Sequence, residues 1–218
     1  MEPTNRSSLI LDFDGTMTLR DVGDVVCDHF ASPAWRQVDE RWTRREISLP
    51  EAQRQMWALA RGTEAAMTAY ATQVAVPRPG LRELCEAARS GGMRVVVASG
   101  GFDFCMTQVL SGTPAPDAII CNRAVWEGDR MTPVFNDEGL GCDSCAVCKG
   151  RVCDRERARG ARHVVFVGDG PSDRCAIGRA DVLCAVRGGA LERECVSRGV
   201  TSVAFDDLRE LLPLLGPG

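Results

Sequence analysis

The sequence lacks several features that mark particular classes of protein. No stretch approaches the ~18 consecutive apolar residues that a membrane span requires, and the polar opening of the chain does not look like a secretion signal. Lys and Arg number 26 against 30 Asp and Glu, so the net charge of -4 offers no field that would attract a phosphate backbone or an anionic lipid. We therefore expect a cytoplasmic protein with neither a nucleic-acid nor a membrane partner.

Histidine is also scarce, with two residues, and no Ser-His-Asp arrangement is supported. Cysteine, with 11 residues, is too infrequent for a disulfide scaffold, and without a secretion signal the thiols are expected to stay reduced. What remains is the composition of an ordinary globular protein, 44% hydrophobic and 26% charged. The length of 218 residues favours one domain that carries an insert.

Short apolar runs alternate with helical patterns along most of the chain. The predicted strands cover residues 9–11, 93–98, 117–121, 163–167, 182–186 and 201–205. Helical patterns over 79–89 and 190–198 lie between them and stop at glycine. Strands that alternate with helices build a parallel sheet covered on both faces. The sequence therefore predicts an α/β fold with a Rossmann-like, doubly wound parallel sheet.

Residues 18–76 break this alternation, because they carry helical signals and no convincing strand. Ser48-Leu49-Pro50-Glu51 is a capping box that opens a helix, which Gly62 is expected to close. A segment inserted after the first strand would overhang the edge where α/β sheets bind ligands. We predict a small α-helical cap domain over 18–76 and a core of 1–17 and 77–218. A second, smaller insert over 123–135 suggests a hairpin.

Two acidic pairs follow predicted strands. Asp12 and Asp14 stand two residues apart after the first strand, so in extended geometry both carboxylates face the same side. Asp169 and Asp173 follow the strand over 163–167 and open a helical pattern. Alone, each pair could be a turn whose Asp residues accept from backbone N–H groups. Acidic strand ends that meet at one sheet edge are better explained by a hard cation, with magnesium favoured where phosphate adds oxygens.

Two further features fit a phosphate ligand. Ser99-Gly100-Gly101 offers a hydroxyl and open backbone N–H groups at a strand end, where the following helix would point its positive N-terminus at an anion. Lys149 opens the helix that precedes the strand before Asp169. Ser-Gly-Gly is often only a loop and a lone Lys is usually solvated, so neither feature is decisive alone.

In order and spacing, the motifs resemble those of the haloacid dehalogenase superfamily, in the phosphoserine-phosphatase-like branch with a helical cap. They are Asp12 to Thr16, Ser99, Lys149, and Gly168 to Asp173. Within that branch the chain is most similar to the methionine-salvage phosphatases that act on 2-hydroxy-3-keto-5-methylthiopentenyl-1-phosphate. The resemblance implies a magnesium-dependent phosphatase that hydrolyses a small phosphorylated metabolite through an aspartyl-phosphate intermediate.

Several alternatives stay open. The chain could be a phosphoserine phosphatase, another small-metabolite phosphatase or a phosphotransferase. It could also be a phospholigand-binding or regulatory protein on the same fold, because a fold does not fix a function. A monomer and a homodimer are both compatible with the sequence.

The resemblance also implies roles for individual residues. Asp12 would be the nucleophile, and Asp14 would protonate the leaving group and later activate water. Ser99 and the Gly100 N–H would bind phosphate oxygens. Lys149 would neutralise Asp12 and the charge on the transferring group.

Mg²⁺ is the implied cofactor. The Asp12 carboxylate, the Asp14 backbone carbonyl and Asp169 would hold the ion, with Asp173 as a further ligand or as a residue that orients the others. Candidates in the predicted cap are less specific, because charged helix residues are usually solvated and tryptophans usually belong to a core. These candidates are Asp21, Arg44, Arg45, Arg54, Trp35, Trp42 and Trp57.

A run of cysteines surrounds Lys149. Cys142, Cys145, Cys148 and Cys153 form C-x-x-C-x-x-C-x-x-x-x-C, a spacing compatible with zinc or an iron–sulfur cluster. Similar phosphatases carry Cys-rich segments before the corresponding Lys, which favours the run as a loop of reduced thiols that delivers Lys149 over a metal site. Both interpretations stay open.

Overall fold

The computed structural model describes residues 7–136 and 140–215. Its strands form one seven-stranded sheet in the order β4-β3-β2-β1-β5-β6-β7. They are β1 Ser7–Leu11, β2 Arg94–Phe102, β3 Ala118–Glu127, β4 Arg130–Val134, β5 His163–Gly168, β6 Val182–Val186 and β7 Val203–Phe205. Every neighbouring pair is parallel except β3 and β4, which form the predicted hairpin. The predicted α/β class is confirmed.

The sheet has an apolar core on both faces. Successive side chains of a strand point to opposite faces, so Leu9 and Leu11 pack into one hydrophobic cluster and Ile10 into the other. All three are fully buried. A strand buried on both faces reads as an unbroken apolar run rather than as an alternating one, which is why β1 could be recognised from three consecutive residues.

Five of the eight α-helices in the described residues lie between β1 and β2, and the first four of them fall within residues 18–76. The helices are α1 Val22–Phe30, α2 Trp35–Thr43, α3 Leu49–Ala58, α4 Glu64–Val74, α5 Leu81–Ser90, α6 Thr107–Ser111, α7 Lys149–Ala158 and α8 Ala190–Arg198. An antiparallel bridge joins Thr18 to Pro77, so the chain enters and leaves the α1–α4 segment at neighbouring points. The interpretation of residues 18–76 as a separate cap domain stays a prediction. None of the helices in the described residues is long and apolar enough to cross a membrane.

Two element boundaries differ from the predictions. The Ser48 hydroxyl accepts the Glu51 N–H as expected, but α3 ends at Ala58 rather than at Gly62. The Gly62 N–H instead donates to the Asp129 carbonyl in the β3–β4 turn, which ties the end of the helical segment to the hairpin. Strand β2 continues past Ala98 to Phe102 through a register irregularity, so Ser99-Gly100-Gly101 lies within an irregular strand end.

Candidate active site

The predicted acidic residues meet at one edge of the sheet. Strand β1 lies between β2 and β5, so Asp12 at the end of β1 is flanked by Ser99 in β2 and by Asp169 after β5. The Asp12 N–H donates to the Val167 carbonyl at 2.9 Å, which extends the β1–β5 pairing up to the carboxylate. This is the carboxyl-end edge where open α/β sheets bind ligands.

Lys149 is a fully buried cation between two carboxylates. Its Nζ lies 3.0 Å from Asp12 Oδ1 and 3.1 Å from Asp173 Oδ1, and it donates to Ser172 Oγ at 3.1 Å. Burial alone would lower the pKa of Lys149, but attraction to Asp12 and Asp173 outweighs it and raises the pKa above its ordinary value. Lys149 therefore remains charged and holds the two acidic segments together.

Three carboxylates converge around Lys149. One oxygen from each of Asp12, Asp169 and Asp173 lies within 4.8 Å of the other two. Burial, together with repulsion from Asp173, raises the pKa of Asp12 well above its ordinary value and that of Asp169 to about 7. A bound cation would offset this repulsion. Three hard oxygen donors at this spacing can hold a divalent cation such as Mg²⁺.

The oxygens of Asp173 are already engaged. Its Oδ2 accepts the N–H groups of Asp169 and Gly170, each at 3.0 Å. Its Oδ1 contacts Lys149 and accepts the Ser172 hydroxyl at 3.3 Å. Because Asp173 is fully buried and shapes the turn that carries Asp169, it orients the acidic edge.

Asp14 lies against the strand end of β2. Its Oδ1 accepts the Val22 N–H at 2.9 Å, and a Cβ at Gly101 would lie 2.6 Å from its Oδ2. A glycine at position 101 is therefore needed for this approach. Burial, followed by repulsion from Asp21 and Asp12, raises the pKa of Asp14 well above its ordinary value. A carboxyl group whose pKa is raised in this way keeps its proton to a higher pH, which suits it to donate a proton.

Hydrogen bonds fix the strand end that contains Ser99 and Gly100. Ser99 is buried, and its Oγ accepts the Gly101 N–H at 2.9 Å. The Gly100 carbonyl accepts the side-chain amides of Gln53 and Asn122, each at 2.7 Å. The prediction that a following helix directs its N-terminus at an anion is wrong, because a three-residue 3₁₀ turn and the five-residue α6 come next.

Two positioning residues escaped the sequence analysis. Arg78 is buried and donates to the carbonyls of Gly15 at 2.6 Å and Thr16 at 2.8 Å, which fixes the turn after β1. Gln53 is 8% exposed, and its Oε1 has no hydrogen-bond partner among the described residues. The available signal for Gln53 was its position as a polar residue on the face of α3 that also buries Ala52 and Met56.

The site opens into a cavity of about 320 Å³. Its floor contains Asp12, Ser99 and Asp169, and its apolar wall is lined by Leu49, Met56, Trp42, Trp57 and Phe102. Trp57 packs edge-on against Phe102, with ring centroids 5.6 Å apart. Acidic Asp21, Asp24 and Asp39 complete the lining, and within residues 7–136 and 140–215 no Arg or Lys is part of it.

The sequence model of the haloacid dehalogenase-like hydrolases matches residues 9–177, which is more than half of the chain. The chain belongs to the haloacid dehalogenase-like hydrolase family.

Several relatives of this hydrolase carry the name of a phosphatase. It is 32% identical over 211 residues to the bifunctional enzyme MtnB/MtnX of Bacillus licheniformis, which covers 95% of the chain but 48% of the relative. The chain therefore spans about half the length of that enzyme. It is 27% identical to the 2-hydroxy-3-keto-5-methylthiopentenyl-1-phosphate phosphatase of Bacillus velezensis, over 95% of this chain and 89% of the relative. It is 28% identical to the phosphatase of the same name from an Exiguobacterium species, over 93% of this chain and 94% of the relative.

Solved structures agree on the fold. A phospho-aspartyl intermediate analogue of phosphoserine phosphatase aligns with a TM-score of 0.76 at 19% identity, over 96% of this chain and 99% of the other. A substrate-bound phosphoserine phosphatase aligns with a TM-score of 0.72 at 18% identity, over 96% and 99%. Family and relatives together make this hydrolase a phosphoric monoester hydrolase, so the non-catalytic alternative is set aside.

The remaining candidates of the helical segment separate into two groups. Asp21, Trp42 and Trp57 line the cavity. The others lie outside its lining. Arg44 pairs with Glu40, Arg45 pairs with Glu194, Arg54 lies over the ring of Phe135, and Trp35 is buried in the core.

The thiols that lie together in the structure of the hydrolase differ from the set that the sequence spacing suggests. Cys153 lies in α7, is buried in an apolar cluster with Ile10 and Val152, and is not part of the group of close thiols that Cys142 and Cys145 form. Cys175, which follows the Asp173 turn, takes its place, and its Sγ lies 3.9 Å from that of Cys145. The structure therefore groups Cys142 and Cys145 with Cys175 rather than with Cys153, and metal binding by the run stays a prediction.

Proposed function

We propose that this hydrolase is a magnesium-dependent phosphatase of 2-hydroxy-3-keto-5-methylthiopentenyl-1-phosphate, acting through an aspartyl-phosphate intermediate. The relatives that carry this name support the proposal. The observation that carries it is the cavity, which joins an acidic floor at Asp12 to an apolar wall at Met56 and Trp57. A phosphate at one end of a substrate and a methylthio group at the other match these two environments.

The same cavity argues against phosphoserine as the substrate. Phosphoserine carries a carboxylate, which in a buried site requires a cationic or strong hydrogen-bonding partner. Instead, the lining near the apolar wall carries Asp21, Asp24 and Asp39. The unpartnered Gln53 Oε1 could accept a hydrogen bond from a substrate hydroxyl. The ammonium group of phosphoserine could pair with these Asp residues, but its carboxylate would have no Arg or Lys partner in the described lining. A neutral, hydroxylated chain with an apolar tail needs no such partner.

The proposed chemistry uses residues that the topology brings together. An Asp12 oxygen attacks phosphorus and forms a new O–P bond, while the ester oxygen leaves with a proton from Asp14. Asp14 then takes a proton from water, which attacks the phosphoryl group and restores the Asp12 carboxylate. Lys149 Nζ, 3.0 Å from Asp12 Oδ1, balances negative charge throughout.

Asp12, Asp169 and the Asp14 backbone carbonyl are the groups that would hold Mg²⁺. When bound, the ion supplies positive charge that offsets the carboxylates and the phosphoryl oxygens. Because both oxygens of Asp173 are engaged by Lys149 and by backbone N–H groups, we assign Asp173 to orientation rather than to direct ligation.

We also infer that α1–α4 act as a cap over this site. Helix α3 supplies Leu49, Gln53, Met56 and Trp57 to the cavity, whereas the acidic edge comes from the sheet. A substrate held between them would be shielded from water by the helical segment.

A substrate panel tests the assignment. Wild type should hydrolyse the methylthio substrate with a higher kcat/KM than phosphoserine or glycerol phosphate. Trp57→Leu should raise KM about tenfold for the methylthio substrate and little for glycerol phosphate, because removed apolar contact weakens only a substrate that makes it. Phosphate release with magnesium present measures both.

The matched control is Trp35→Leu, which removes the same side chain from a core position outside the cavity. It should change the KM values of both substrates equally. A preference for phosphoserine, or a Trp57→Leu defect of equal size on both substrates, would reject the methylthio assignment while leaving phosphatase activity intact.

Magnesium affinity should depend on pH. The pKa of Asp169 is raised to about 7 by burial and by Asp173, and a carboxyl must lose its proton to bind a metal. Between pH 6 and pH 8 the ionised fraction grows about tenfold, so the apparent Kd for Mg²⁺ should fall by about that factor. Calorimetric titration of the metal-free protein measures it, with Asp169→Asn as the control that binds weakly at both values. Equal affinity at pH 6 and pH 8 would contradict ligation by Asp169.

A further inference from the structure

Four cysteines from two separate parts of the chain meet beside the active site. The Sγ atoms of Cys142, Cys145 and Cys175 all lie within 4.8 Å of one another. Cys148 follows Cys145 by three residues, is buried, and has its thiol close enough to those of Cys145 and Cys175 to interact with them. We propose that Cys142, Cys145, Cys148 and Cys175 bind a structural zinc ion.

The distance between the sulfur atoms of Cys145 and Cys175 fits two ligands of one tetrahedral ion. A Zn–S bond of about 2.3 Å in tetrahedral geometry places the sulfur atoms about 3.8 Å apart, and the Cys145–Cys175 distance is 3.9 Å. A disulfide would require about 2.05 Å. In a [4Fe–4S] cluster each thiolate binds a different iron, which separates the sulfur atoms more widely.

The other cysteines behave differently. Free cysteine usually acts as a small core residue, and the two hydrophobic clusters include Cys27, Cys85, Cys105, Cys121, Cys153, Cys184 and Cys195. The four proposed ligands belong to neither cluster, although Cys145 and Cys148 are buried. Burial against other thiols, rather than in the apolar core, is typical of a thiolate metal site.

The loop that carries three of the ligands is held by its own backbone. The N–H of Cys142 donates to the Cys145 carbonyl at 2.9 Å, and the N–H of Cys145 returns a bond to the Cys142 carbonyl at 3.3 Å. The Cys148 N–H donates to the Leu140 carbonyl at 2.7 Å. Cys148 is also the N-cap of α7, where the helix dipole favours a thiolate.

The ion would join the two segments that carry Lys149 and Asp173. Cys148 directly precedes Lys149, and Cys175 follows Asp173 by two residues. The segments already touch, because a Cβ at Gly150 would collide with the Cys175 carbonyl. On binding, each thiol would release its proton to solvent and become a thiolate ligand. Zinc would thus hold the Lys149–Asp173 ion pair in place without contacting substrate.

Metal content tests the proposal directly. The full chain, purified with a reductant from zinc-supplemented cells, should contain about one zinc per chain by mass spectrometry of the elements. Replacement of zinc by Co²⁺ should give the intense visible absorption of a tetrahedral cobalt thiolate. Cys175→Ser should lose the zinc and this spectrum. The matched control Cys153→Ala, which removes the fourth cysteine of the sequence run, should keep both.

Other results would overturn the proposal. Fully reduced wild type without stoichiometric zinc, or with stoichiometric iron and the absorption of a cluster, rejects a zinc site. Zinc retained in Cys175→Ser but lost in Cys153→Ala would assign the ligands by sequence spacing instead. If Cys175→Ser does not fold, the zinc content and cobalt spectrum of wild type decide alone.

Discussion

Asp12→Asn should lower the rate of phosphate release by about 10⁴-fold or more. An amide of nearly the same shape can still accept a hydrogen bond from Lys149 Nζ, which lies 3.0 Å from Asp12 Oδ1, so the fold should survive. It cannot act as the oxyanion that attacks phosphorus. It also removes one of the three carboxylates that converge on the proposed metal site. Steady-state phosphate release with magnesium or with EDTA measures the loss.

Asp14→Asn is the matched control for this experiment, because it changes the neighbouring acid and leaves Asp12 intact. We expect a smaller loss, of about 10² to 10⁴-fold, since proton transfer is removed but the nucleophile remains. With a substrate whose leaving group needs no protonation, Asp14→Asn should accumulate a phosphorylated chain that mass spectrometry detects. Asp12→Asn protein that keeps a tenth of the wild-type rate would show that another group attacks phosphorus.

The acidic edge could be predicted because local and global signals agree there. A strand buried on both faces is an unbroken apolar run, and the polar residues after such runs must come to the carboxyl edge of a parallel sheet. Asp12 and Asp169 satisfy both conditions, and the structure places them on adjacent strands. The role of Ser48 as a helix N-cap could also be predicted, because a capping box depends on residues only three positions apart.

Contacts between distant segments could not be predicted in this way. Gln53 meets Gly100 across 47 residues, and Arg78 meets Gly15 across 63. Neither pairing leaves a periodic pattern in the sequence. Cys175 approaches Cys145 for the same reason, whereas spacing alone pointed to Cys153. The end of α3 was misplaced because Gly62 serves a contact with Asp129 rather than a helix terminus.

The surroundings of position 149 explain why the residue is lysine rather than arginine. Lys149 is the only lysine among the 26 basic residues of the sequence, and it is fully buried. A compact ammonium can direct three donors at three separate oxygens, here on Asp12, Asp173 and Ser172. The larger planar guanidinium of Arg does not fit that geometry. A chain that uses Arg almost everywhere else therefore keeps Lys at this position.

Lys149→Met should destabilise the protein by about 3–5 kcal/mol at pH 8, because it leaves buried carboxylates without their cation. In the wild-type protein, burial and repulsion from Asp173 raise the pKa of Asp12, whereas attraction to Lys149 lowers it. Removal of the Lys149 charge therefore raises the pKa of Asp12 further. A carboxyl with a raised pKa contributes stability below its unfolded pKa and loses it as pH rises through the folded value. The deficit should therefore be smaller at pH 5 than at pH 8. Urea unfolding in EDTA at both values measures it.

Lys149→Arg separates the charge of Lys149 from its shape. It keeps the positive charge, so its stability at pH 8 should exceed that of Lys149→Met. Both variants should lose about 10² to 10³-fold in kcat, since the charge in Lys149→Arg no longer lies where phosphoryl charge develops. If Lys149→Met were equally destabilised at pH 5 and pH 8, lost packing in the buried site would explain its defect. If Lys149→Arg kept full activity, a cation at this position would suffice and the three directed hydrogen bonds would carry no catalytic role.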